Sequence, residues 1–167
     1  MDLERSLIQQ LAATNAGDPW YGTSRSTLLA GLSAEQAAEH SVPGVHSIWE
    51  EVLHMTSWTN EVRRRLDGQM PATPVEGDWP AVAHVSEMEW RAALAALDAA
   101  HARLLEAVRA LPPGRWTEPV AQPQGDTPSG NISVAGLVVG LAQDDAYHTG
   151  QVALLRKAAG IRVGRTD

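Results

Sequence analysis

Apolar residues recur along four stretches of this chain at helical spacing, and between them the pattern lapses into Pro, Gly and polar residues. Leu3, Leu7 and Leu11 share one side of a segment from about Asp2 to Ala16. Ile48, Val52, Met55, Thr59, Val62 and Leu66 then follow at steps of 4, 3, 4, 3 and 4, the stripe of a helix buried on one side. Trp90, Leu94, Leu97, His101, Leu104, Val108 and Leu111 keep the same alternation. Val134, Leu137, Leu141, Asp144, His148, Val152 and Leu155 form the last stripe, in a helix expected from near Ser133 to Gly160.

The boundaries carry their own chemistry. Ser47 with Glu50, and Ser86 with Glu89, have the spacing at which a hydroxyl and a carboxylate satisfy each other's free amides at a helix start. Gly68 and Pro71 stop the second long helix, and "LPPG" stops the third. "SRSTLLAGL" and "SAEQAAEH" read as helical turns within a long connection, whereas "ATPVEGDWPAVAH" and "PVAQPQGDTPSGN" read as loops. Only the terminal "IRVGRTD" is ambiguous between strand and coil. The expectation is one all-α domain over residues 1–167, a four-helix bundle whose long connections suit a topology other than up-down-up-down.

Composition narrows the chemistry. The 167 residues suffice for one core, and 13 Lys plus Arg against 20 Asp plus Glu give a net charge of −7. That balance argues against nucleic acid as a partner, because such binding needs clustered cations. The run Arg63-Arg64-Arg65 reads as a solvated face. No cysteine is present, so disulfides, thiol nucleophiles and thiolate metal sites are excluded, and any metal must be held by His, Asp or Glu. "MDLERSLIQQL" lacks the apolar core of a signal peptide, and the apolar run "ISVAGLVVGLA" is too short for a membrane span. A soluble cytoplasmic protein is the expectation.

Asp144 and His148 lie one turn apart on the apolar stripe of the last helix. The pair can bind a divalent cation, as bundles often do, or form a buried hydrogen bond with some further polar partner. A third ligand is offered by His54, at the shoulder of its stripe, or by His101, on the seam of the third helix. His40, His46 and His84 fall in loops or at helix starts. Of the six tryptophans, Trp49, Trp58 and Trp90 suit the core or a pocket wall, and Trp20, Trp79 and Trp116 sit in connections.

"VPGVHSIWEEVLHMTSWTNEVRRRLDG" and "DDAYHTGQVALLRKAAG" resemble the two signature regions of the DinB/YfiT-like superfamily of metal-dependent four-helix bundles. "LLAGLSAEQA", ahead of the first, is similar to the family's connection. The family pattern places one histidine on the second main helix, matched by His54, and a His-x-x-x-His followed by x-Gly-Gln on the last, where Asp144 replaces the first histidine and His148 matches the second. The resemblance implies that His54, Asp144 and His148 hold a divalent ion, Zn or Ni foremost and Mn or Fe as alternatives. Asp145 is then expected to orient His148 or another ligand, Gln151 and Trp58 to line the pocket, and Gly150 to admit a neighbouring helix.

Relatives include transferases and isomerases that use bacillithiol or mycothiol, and proteins assigned as hydrolases. The resemblance therefore implies a metal-dependent enzyme acting on a small-molecule substrate, first a thiol S-transferase that activates a low-molecular-weight thiol. A hydrolase using metal-bound water is the alternative; a general base such as Glu50 or Glu51 near the ion would favour it. The third reading is a non-catalytic ligand- or partner-binding bundle whose metal site Asp144 has weakened or ended. Family members often dimerise, so a homodimer is also expected; no membrane partner is.

Overall fold

The computed structural model describes residues 3–121 and 132–162, and the expectations for the middle of "PVAQPQGDTPSGN" and for most of "IRVGRTD" lie outside them. The helices are α1 (Leu3–Ala16), α2 (Arg25–Leu29), α3 (Ala34–Ala38), α4 (Ile48–Leu66), α5 (Glu87–Arg109) and α6 (Val134–Ala158), with a 3₁₀ turn at Pro113–Thr117. The four long ones form the bundle. Helix α4 packs on α5 and α6, and α1 packs on the same two, so the first two long helices face each other across the diagonal. That arrangement needs the long α1–α4 connection, into which α2 and α3 are folded. Among the described residues the only β pairing is an isolated bridge between Pro119 and Ser133, and no helix is long and apolar enough to cross a membrane.

The caps form largely as their spacing dictates. Ser47 and Glu50 make both halves of the box at the start of α4, whereas Ser86 accepts from the Glu89 amide without the reciprocal bond. Among the described side chains the apolar residues of each stripe turn inward, and Leu11, Val52, Leu104 and Val152 reach zero exposure.

The interior falls into two apolar clusters. One gathers Ile48, Trp49, Val52, Met55, Trp90, Leu97, Val152 and Leu155 with α2 and α3. The other gathers Leu11, Val62, Leu66, Leu104, Val108, Trp116, Leu137 and Leu141. Between them along the bundle runs a belt of buried polar groups: His54 and Thr59 of α4, His101 of α5, Asp145 and His148 of α6, and Arg25 of α2. Arg25, with no exposure, is the belt's central cation. Its Nη1 donates to Asp145 Oδ1 at 3.0 Å and lies 3.7 Å from Met55 Sδ, while Nε and Nη2 donate to Asn15 Oδ1 at 3.3 and 3.1 Å.

A cation enclosed this way repays its desolvation only through its partners, and removing one leaves an uncompensated charge. Arg25→Ala is expected to destabilise the protein by about 3–5 kcal/mol, whereas Arg25→Met with Asp145→Leu should be near neutral. Urea midpoints for the parent, the single and the double variant test this. A single variant no less stable than a surface substitution would remove the pair from its central place.

Candidate metal centre

Three donors from two helices converge where α4 passes α6. His54, Asp144 and His148 each offer one ligand atom, and these atoms all lie within 4.8 Å of one another. The imidazole centroids of His54 and His148 are 4.4 Å apart. Both histidines are buried, but the Asp144 side chain is 39% exposed. This corrects the inward placement expected for Asp144: it stands at the rim, and its neighbour Asp145 takes the interior.

Each histidine is held through Nδ1. His148 Nδ1 donates to Glu51 Oε2 at 2.6 Å, and His54 Nδ1 donates to the Asp78 carbonyl at 2.7 Å. Such bonds fix ring orientation, so that Nε2 is the atom each ring would offer a metal. His148 Nε2 lies 3.4 Å from Asp144 Oδ1. Burial alone would lower the pKa of His148, but hydrogen bonds and charge from Asp144 and Glu51 outweigh it and raise the value to about 9. The pocket therefore favours positive charge.

The orienting role expected of Asp145 belongs to Glu51. Asp145 is committed to Arg25, at 3.0 Å. The wall expected of Trp58 is made by Trp79, which stacks on His54 at 3.9 Å and on His46 at 3.6 Å. Trp58 is 6.4 Å from His54 and donates through Nε1 to Asp78 Oδ1 at 2.7 Å, so it holds the loop that carries the wall. Gln151 is partly buried on the next turn of α6. Gly150 does not admit a helix: a Cβ there would meet nothing within 4 Å.

The Asp78-Trp79 loop is anchored from α4. Glu61, 1% exposed, accepts from Arg64 Nε at 2.9 Å, from Arg65 Nε at 2.8 Å and from the Ala72 amide at 2.9 Å. Arg64 and Arg65 are thus not a freely solvated face; they neutralise a buried carboxylate where the loop departs. Burial would raise the pKa of Glu61, but these hydrogen bonds outweigh it and hold it below the ordinary value.

His101 is not part of the group. It lies in the belt, 2% exposed, with no hydrogen-bond partner for either ring nitrogen. Burial first, then the Arg25 charge, lower its pKa to about 4, against a weaker opposing effect from the Leu11 backbone.

These observations define a class: a helical bundle with grouped His, Asp and His donors between its second and fourth long helices. Residues 25–152 match the DinB superfamily, a span that contains every residue of the site, and the chain belongs to that superfamily. A crystal structure of a conserved protein from Enterococcus faecalis shares the fold, with a TM-score of 0.67 over 95% of this chain and 97% of that one at 15% identity. No curated protein matches the chain.

His101 gives the site's surroundings a definite pH dependence. Its pKa is about 4 in the folded protein, against an ordinary histidine value of 6.5, so the unfolded chain takes up the proton first as pH falls. Stability from the neutral ring is complete above pH 6.5 and declines toward pH 4, by up to about 3 kcal/mol. His101→Leu should remove that part of the decline. Urea midpoints of parent and variant at pH 7.5 and 5 measure it; parallel losses in both would reject the assignment.

Proposed function

We propose that the protein is a metal-dependent enzyme in which His54, Asp144 and His148 hold a divalent ion, and that its reaction is the transfer of a low-molecular-weight thiol to an electrophilic small molecule. The observation that carries the metal site is the grouping of one donor atom each from His54, Asp144 and His148 within 4.8 Å, with each histidine Nδ1 held by an acceptor, Glu51 for His148 and the Asp78 carbonyl for His54. Two imidazoles and a carboxylate suit Zn²⁺ or Ni²⁺, and equally Mn²⁺ or Fe²⁺. When bound, such an ion supplies Lewis acidity that lowers the pKa of a coordinated thiol or water.

The chain's own residues do the rest. Glu51 holds His148 and supplies negative charge from a dry position. Trp79, braced by His46, closes one side of the His54 ring and keeps water from it. Asp144, at the rim, faces the approach by which a thiol and its acceptor arrive. In the transfer, the sulfur forms a bond to the acceptor's electrophilic carbon, the thiol proton passes to solvent, and the leaving group departs with the electron pair of the broken bond.

Hydrolysis is less well supported, because the carboxylates that would serve as its base are engaged. Glu51 is bonded to His148, and Glu50 caps α4 at 2.7 Å from the Ser47 amide while also pairing with His40 at 3.0 Å.

Elemental analysis of protein purified without chelator or His tag should find near one equivalent of a divalent ion, lost in His148→Ala. Glu51→Gln should weaken metal affinity by about 10–100-fold with the helical circular dichroism unchanged. Conjugation of bacillithiol or mycothiol to a bimane electrophile should then require the metal and His148. Metal without conjugation would reject the transferase and retain the site. No metal in the parent, and none taken up on titration, would reject both.

A further inference from the structure

On the other side of α6 from the triad lies a cavity of about 820 Å³, within the range of small-ligand pockets. At about 3.6 residues per turn, Gly150, Ala153 and Lys157 fall nearly opposite Asp144 and His148, with Thr149 and Arg156 about a quarter-turn from His148 at the cavity's edge. The cavity opens to solvent and is also lined by Tyr21, Gly22 and Thr23 ahead of α2, by Leu28, and by the turn after α6 at Gly160, Ile161 and Arg162.

Its charge is unlike that of the molecule. The chain carries −7, yet Arg156, Lys157 and Arg162 line this cavity and, among the described residues, no acidic one does. Lys157 is the only lysine in the sequence. Two buried side chains of the wall have unfilled hydrogen-bonding capacity. Thr149 is 1% exposed and its Oγ1 has no partner; Arg156 is 3% exposed and its Nε has none. The remaining Arg156 nitrogens are engaged: Nη1 donates to the Leu28 and Ala30 carbonyls and Nη2 to the Arg162 carbonyl. The guanidinium is thereby fixed, with Nε as its spare donor. Buried donors normally find partners, so two orphans on one wall point to an acceptor that arrives from outside.

The rest of the lining suits an apolar body. Leu28, Ala153 and Ile161 are aliphatic, and Cβ atoms added at Gly22, Gly150 or Gly160 would meet nothing within 4 Å, so the missing side chains leave room. We propose that this cavity binds a small organic oxyanion, a carboxylate or phosphate on a short apolar body, with Thr149 Oγ1 and Arg156 Nε as donors and Lys157 and Arg162 as counter-charges. The site stands apart from the metal centre and does not depend on its occupancy.

Lys157 provides the reporter. Reductive methylation with ¹³C-formaldehyde keeps the lysine charge and gives one lysine NMR signal beside that of the amino terminus. Titration with hexyl phosphate or hexanoate should shift that signal saturably, whereas hexanol should not. The stronger of the two anions identifies the headgroup. Gly150→Leu, which fills the cavity from an exposed helical position, should weaken binding at least tenfold, and Thr149→Val by roughly three- to tenfold. Both variants are checked for unchanged helical circular dichroism. No saturable shift with either anion, or equal shifts in the parent and Gly150→Leu, would overturn the site.

Discussion

The bundle is organised around one constraint: a layer of polar and charged side chains crosses an interior that is apolar above and below it. The charged groups of that layer find their partners inside the protein, whereas His101 is kept neutral by its burial. Arg25 meets the condition by reaching from α2 to Asp145 on α6 and back to Asn15 on α1, tying three elements together with a single guanidinium. That short helix is therefore part of the core's electrostatics rather than a decoration on a connection. On the same helix Asp145 meets Arg25 while Asp144 and His148 meet the donors of α4.

What α6 presents to α4 is completed by residues that α4 itself supplies or holds in place. Glu51 comes from the same buried stripe as Val52 and Met55. Glu61, three turns further on, fixes the departure of the loop that returns with Asp78 and Trp79. The site is thus assembled from a helix and from a loop fastened to that helix, so the two histidine supports move as one body with α4. Helix α6 brings the remaining donors, and its packing against α4 decides their separation.

Most of the scaffold is readable in the sequence because helices of a bundle impose a periodicity that loops do not. The stripes of α4 and α6, and the capping box at Ser47, have local causes and appear as local patterns. His54 is less legible: it sits at the shoulder of its stripe, and only its match to a family motif separates it from His101. Glu51 carries a faint signal, as a carboxylate three residues before His54 on a face otherwise apolar. Arg25, Asp78 and Trp79 carry none, since each acts through a partner distant in sequence and lies outside the long periodic segments. The role of Asp145 is hidden for a related reason. Adjacent residues on a helix point about 100° apart, and spacing alone does not say which of two consecutive aspartates the buried arginine claims.

The two histidines are supported by different kinds of acceptor. Glu51 serves His148 with a side chain, whereas Asp78 serves His54 with a peptide carbonyl. Almost any residue offers that carbonyl, but the Asp78 side chain has work of its own, since its Oδ1 accepts from Trp58 Nε1 at 2.7 Å and lies 3.4 Å from His54 Nδ1. Position 51 is constrained through a single contact, because few side chains both reach His148 and carry the acceptor it needs. Within one site, then, a substitution at position 51 acts on one ring alone, whereas one at position 78 acts on His54 and on the loop together.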